Sequence, residues 1–208
     1  MRNPRYFTKY LLKSKLYIVF RLTTVGLILS TIAIDVAASE ISELQWRTVT
    51  QLSGTPSTTD IDVPAVYIFF DPNCPATAKL FRNDADGKSF ADAPAVWIPV
   101  AYMKADSLGK AAATLREMQF SAIKDNFTHY DSQEKSGAIT PVQASAKERS
   151  EVANAKRVWM ELTTTPATPM IVYKDNSGAP HVHLGYNSPE KLKQIVREAP
   201  SSHIPAYK

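Results

Sequence analysis

Residues 70–77 read Phe-Asp-Pro-Asn-Cys-Pro-Ala-Thr and hold the single cysteine of a 208-residue chain. Cysteine, proline, any residue, cysteine is the reactive pattern of dithiol–disulfide exchange. Here Thr77 stands in the second cysteine position. Cys74 can therefore attack a disulfide as a nucleophilic thiol, but it cannot close an internal one. Pro75 suits the first turn of a helix, where a missing N–H costs nothing, and this places Cys74 at or beside the helix N-terminus. Unpaired backbone N–H groups and the positive end of the helix dipole favour the thiolate there. Thr77 offers a hydroxyl to the sulfur in place of the lost thiol. Asp71 is a candidate modulator that works against the thiolate if its carboxylate faces the sulfur. A working thiol is expected to be accessible, with a lowered pKa at the helix N-terminus, and an internally buried sulfur counts against it; the alternative is an inert cysteine packed as a small hydrophobe.

Other constellations carry less chemistry. His181 and His183 alternate on an expected strand and so share a face, but two imidazoles with no third ligand at suitable spacing read as an exposed hairpin face rather than a metal site. No metal and no cofactor is expected. Asp106 and Glu117 read as a solvated helix face, and His129 and His203 have no evident partner. The chain contains no Gly-rich phosphate loop, no G-x-S-x-G elbow and no zinc-protease helix.

The elements that position Cys74 follow from pattern. AVYIFF (65–70) is a short β-branched and aromatic run bounded by Pro64 and Asp71-Pro72, a fully buried strand. APAVWIPVAYM (93–103) is a second, with Pro99 marking a bulge or an edge. Residues 104–165 read as three helices of mixed polarity broken at Gly137 and Pro141. MIVYKD and HVHLGY flank Asn176-Ser177-Gly178 as a β-hairpin. Ser188-Pro189 opens a last helix running to about residue 198. ISELQWRTVTQL, before the first long strand, fits either a helix or a strand.

Charge excludes one class of function. The formal net charge is +4, yet residues 1–38 alone carry six basic residues against Asp35, so the remainder is close to neutral. No basic stripe is left to follow a phosphate backbone, and no nucleic-acid partner is expected. The basic start runs into the uncharged LTTVGLILSTIAI (22–34) and then DVAASE, where small residues suit an export cleavage site. As a helix those thirteen residues rise only about 20 Å, short of the ~30 Å hydrocarbon core. Residues 1–38 are thus a signal peptide or an uncleaved N-terminal anchor, the only expected link to a membrane. Either way the folded part lies outside the cytoplasm, in a periplasm, where Cys74 is a free thiol in oxidising surroundings.

The residues also resemble a known family. FFDPNCPAT resembles the F-x-D-P-x-C-P-x-C site of the periplasmic disulfide isomerases of the DsbC and DsbG type. WIPVAYMKADSLGKAAATL resembles the strand and helix that open their helical insertion, and ATPMIVYKDNSG resembles their threonine–cis-proline loop and hairpin. The resemblance spans about residues 60–198 and implies an α/β thioredoxin-like fold, a mixed sheet flanked by helices, with a helical insertion at about 104–165 inside a domain of 64–200. It implies that Cys74 is the nucleophile, that Thr168 and Pro169 form the client-binding loop with the Thr168–Pro169 bond cis, and that Thr77 replaces the resolving cysteine. Residues 39–63 are a short lead-in where those isomerases carry a dimerisation domain, so a monomer is expected, and 201–208 form a tail. The expected partners are client proteins with cysteines or disulfides, and glutathione or a reducing partner. Two functions stay open: single-thiol exchange through Cys74, and a redox-silent binding module of an envelope assembly such as a secretion or conjugation apparatus.

Overall fold

The computed structural model describes residues 38–57, 66–83, 95–186 and 189–199. The leader, the connection after residue 57 with Pro64, Ser188 and the tail beyond residue 200 lie outside the described residues.

Strand β3 (Val66–Phe70) forms the centre and is buried at every position. The short elements before it are β1 (Ser39–Glu40), α1 (Glu43–Thr50) and β2 (Thr55–Pro56). The ambiguous stretch ISELQWRTVTQL resolves as a helix because Ser42 and Gln45 form a reciprocal capping box at the start of α1. After β3 come α2 (Pro75–Asn83) and β4 (Ala95–Pro99), which lies parallel to β3 with Ile68 opposite Trp97 and Phe70 opposite Pro99. The insertion supplies α3 (Ser107–Glu117), α4 (Phe120–Thr128) and α5 (Ala146–Glu161). The hairpin is β5 (Met170–Lys174) and β6 (Pro180–Leu184), and α6 (Pro189–Glu198) closes the described chain. β5 runs antiparallel to β3 on the side away from β4, giving the six-stranded order β1-β6-β5-β3-β4-β2. The two shortest strands form the edges.

Alternation along the strands divides the core into two faces. Val66, Ile68 and Phe70 point toward Trp97, Ile171, Phe127 and Ile195, which puts α2, α4 and α6 on that face. Tyr67 and Phe69 point the other way, onto Ile98, Met170, Val172, Trp46, Val49 and Trp159, from the neighbouring strands, α1 and α5. Each large side chain buried in these layers contributes about 1.5–3 kcal/mol.

The insertion is held to itself by Arg116 of α3, whose guanidinium donates to both oxygens of Glu148 in α5, at 2.9 and 2.8 Å. Glu148 also completes the capping box on Ser145. The Arg116 bond, then the Ser145 amide, draw the Glu148 pKa down to about 2. In the hairpin turn, Gly178 adopts a φ of +85° that favours glycine. Asp175 accepts there from the amides of Ser177 and Ala179, at 2.9 and 3.0 Å. Its carboxyl sits well below the ordinary value, first through Ser177 and then through the His181 imidazole.

No described helix is long and apolar enough to cross a membrane.

Candidate thiol site

Cys74 directly precedes α2, and its carbonyl accepts the first helical bond, from the Ala78 amide at 3.0 Å. Its own amide donates back to the Asp71 carbonyl at 2.9 Å, closing the turn Asp71-Pro72-Asn73-Cys74. Across the site, at the start of β5, the Thr168–Pro169 peptide bond is cis. The Cys74 thiol donates to the Thr168 carbonyl, with Sγ 3.1 Å from the oxygen. Cys74, Pro75, Thr168 and Pro169 are therefore brought together from segments more than 90 residues apart.

Two expectations change here. The sulfur is not open to solvent: Cys74 is 3% exposed and capped by Thr168. The reason is geometric, since the cysteine turn folds down against the Thr168 loop rather than standing away from it. Asp71 also does not hold its carboxylate for the sulfur. One oxygen accepts from the Asn73 amide and the Ser107 hydroxyl, each at 2.9 Å. The other accepts from the amides of Tyr102 and Met103, at 2.8 and 3.0 Å. Asp71 is fully buried and joins the cysteine turn to the segment that follows β4.

Thr77 lies one turn into α2 and is fully buried. Its hydroxyl has no hydrogen-bond partner among the described residues. As residue i+3 from Cys74 it shares the helix face that the sulfur begins. An unmade hydrogen bond of this kind costs about 1–3 kcal/mol.

The Thr168 loop is fixed from outside the sheet. The Tyr102 and Thr168 hydroxyls share a hydrogen bond at 2.8 Å. The Tyr102 ring packs on Trp159 at a centroid distance of 4.8 Å, and the Trp159 indole donates to the Ala167 carbonyl at 3.1 Å. Burial raises the Tyr102 pKa, and the bond from Thr168 only partly offsets it. Tyr102 and Met103 remain about 40% exposed beside the loop.

Sequence reasoning missed the polar cluster beneath the turn. Asn73 donates to Asp106 and Ser107 at 2.9 and 3.0 Å. Its side-chain oxygen accepts from Lys110 at 3.0 Å and from the Gly137 amide at 3.1 Å. Asp106, expected on a solvated face, pairs instead with Lys110 at 3.1 Å. Burial opposes ionisation of Asp106, but Lys110 and Asn73 overcome it and hold its pKa below the ordinary value. A signal did exist: Ser107, Lys110, Ala111 and Thr114 follow a buried helical stripe, so Lys110 falls on the inward face.

The histidines also differ from the expected exposed face. His183 is 1% exposed inside the sheet, and His181 lies 2.9 Å from the Asp175 carboxylate. Among the described residues no group of three or more histidine, cysteine or acidic side chains could hold a metal.

No family model and no curated protein sequence matches the chain. Solved structures do. A periplasmic thioredoxin-like protein from Salmonella enterica serovar Typhimurium superposes with a TM-score of 0.56 at 18% identity, covering 77% of this chain and 98% of that one. The thiol-disulfide exchange protein alpha-DsbA2 from Wolbachia pipientis gives 0.54 at 13% identity, covering 74% and 91%. The catalytic domain of Proteus mirabilis ScsC gives 0.51 at 14%, covering 75% and 94%. Likeness at such identities speaks to architecture alone. With a mixed sheet of parallel β3–β4 and antiparallel β5–β6 between two helical layers, the chain adopts an α/β thioredoxin-like fold.

Proposed function

We propose that this protein is an exported, periplasmic thiol-exchange protein that works through Cys74 alone. The observation that carries the proposal is the Cys74 sulfur at the mouth of α2, 3.1 Å from the Thr168 carbonyl and next to Pro169. The names of its structural neighbours, two of which are a thiol-disulfide exchange protein and a periplasmic thioredoxin-like protein, support the same reading.

The chemistry is half of a dithiol cycle. Cys74 loses its proton, and the thiolate attacks one sulfur of a client disulfide or of a glutathionylated cysteine. A mixed disulfide forms on Cys74 while the other sulfur leaves as thiolate. With threonine at position 77, no internal thiol can resolve that bond. A second thiol, from glutathione, the client or a reducing partner, must attack it and return Cys74 to the thiol. The buried Thr77 hydroxyl, which has no partner among the described residues, is the donor we assign to the thiolate once Cys74 releases Thr168. Because the resting sulfur is covered, each encounter must first open the Thr168 contact.

That coverage is also the observation that favours the second reading, a redox-silent module that docks in an envelope assembly through the Thr168–Pro169 loop or the insertion. Incubating the folded protein with glutathione disulfide and weighing it intact separates the two. A glutathione adduct on Cys74, absent in Cys74→Ser and released by added glutathione, supports exchange. A sulfur that reacts only in denaturant overturns it in favour of the silent module.

A further inference from the structure

Lys110 is 3% exposed, although it comes from a helix of the insertion and carries a full charge. Removing an ammonium from water costs several kcal/mol, and a well-packed apolar residue at such a place is often no less stable. What the ammonium adds is direction. It donates to the Ser136 hydroxyl and the Gly137 carbonyl, both at 2.7 Å, and to the Asn73 side-chain oxygen at 3.0 Å, while pairing with Asp106. Three separate segments are tied together by one charge.

Asn73 is the residue on which these ties converge, and it is the neighbour of Cys74 in the chain. All of its polar groups are engaged. Its amide donates to Asp71 and its carbonyl accepts from the Tyr130 hydroxyl at 3.0 Å. Its side-chain nitrogen donates to Asp106 and Ser107, and its side-chain oxygen accepts from Lys110, Ser136 and Gly137. The carbonyl of Asn73 belongs to the peptide unit that leads into Cys74. Fixing it fixes where the first turn of α2 begins, and hence where the sulfur meets Thr168.

We infer that Lys110 is a positioning residue for Cys74: its buried ammonium holds Asn73, and through Asn73 it sets the sulfur against the Thr168 carbonyl. The inference rests on Cys74 being the working thiol, and it gives the helical insertion a role in regulating access to that thiol. With the cation gone, Asn73 loses its charged donor and Asp106 its counter-ion. The cysteine turn then loosens and the sulfur is uncovered more often.

The test uses the full chain as wild type, Lys110→Met and the milder Ser136→Ala, which removes one hydroxyl from the same cluster. Far-UV circular dichroism checks the fold, iodoacetamide labelling under native conditions reads access to Cys74, and amide hydrogen exchange reads residues 71–74. In Lys110→Met the expected result is native circular dichroism, labelling about tenfold faster, a ~1.4 kcal/mol easier opening, and faster exchange at residues 71–74. Ser136→Ala should show the same changes at roughly two- to threefold. Lower thermal stability with unchanged labelling and unchanged exchange in a folded variant would overturn the inference. If Lys110→Met does not fold, Ser136→Ala decides by the same readouts. Failure of wild-type Cys74 to take up glutathione would instead refute the exchange function, while the exchange pattern at residues 71–74 would still decide the role of Lys110.

Discussion

Asp71→Asn should be one of the most damaging isosteric changes in this chain. The substitution keeps shape and volume but turns one carboxylate oxygen into an NH2 group. In the native protein one oxygen receives the Tyr102 and Met103 amides, and the other receives the Asn73 amide and the Ser107 hydroxyl. Whichever way the new amide turns, its NH2 faces donors, the Tyr102 and Met103 amides on one side, or the Asn73 amide and a Ser107 hydroxyl already accepting from Asn73 and Lys104 on the other, around a side chain that is itself fully buried. A buried donor left without an acceptor costs about 1–3 kcal/mol. Two of them at the lower middle of that range give about 3 kcal/mol, before counting the weaker neutral bonds on the other side. Urea unfolding followed by tryptophan fluorescence is the assay. With an m-value of ~2 kcal/mol/M the midpoint should fall by about 1.5 M, with the slope unchanged. A shift below about 0.4 M at constant slope would refute the reasoning, because it would mean that the carboxylate does not join the two loops in solution.

Two further outcomes follow from particular contacts. Glu148 has a folded pKa of about 2 against an ordinary 4.5, so the stabilisation from its Arg116 pairing is fully present above pH ~4.5 and is lost as pH falls through about 2. The melting temperature of wild type should therefore exceed that of Glu148→Gln near neutrality, and the gap should close across that acidic window. Gly137→Ala should destabilise the protein by roughly 2–3 kcal/mol in the same urea assay, since an added Cβ would overlap the Asn126 side chain and the Pro72 carbonyl.

How much of this was legible depended on distance along the chain. β3 and the cysteine turn could be read because VYIFF is apolar at every position, and the Pro-Asn-Cys-Pro punctuation ends the strand and opens a helix. The hairpin could be read because Asn176-Ser177-Gly178 separates the apolar run MIVY from the alternating run HVHL. Lys110 was legible only through its place on the stripe of Ser107, Ala111 and Thr114, and not through its partners. A lysine in an alanine-rich helix is solvated unless something covers it, and here the cover comes from residues 136 and 137, a separate loop. The bonds of Asp71 were hidden from the sequence for a related reason. Its nearness in sequence to Cys74 suggested a role at the sulfur, whereas its partners at 102, 103 and 107 lie a whole strand away. His183 was read as exposed because an isolated hairpin has an open face, but β5 and β6 extend a sheet that is covered on both sides. Thr77 showed its identity in the sequence but not its unpaired state.

The two-residue strands at either side of the sheet bear on how this protein can meet others of its kind. A long bare edge invites another chain to add a strand and seed aggregation. Here β2 pairs with only two residues of β4, contains Pro56, which has no N–H to offer, and is followed by a bond from Ser57 to Ala95. On the far side β1 pairs with two residues of β6 and ends in the charged Glu40, after which Ile41 bonds to Pro180. Neither described edge offers the continuous ladder that an amyloid-like contact requires. If the Thr168 loop opens beside the exposed Tyr102 and Met103, as the proposed exchange requires, neither described sheet edge offers a template for fibrils.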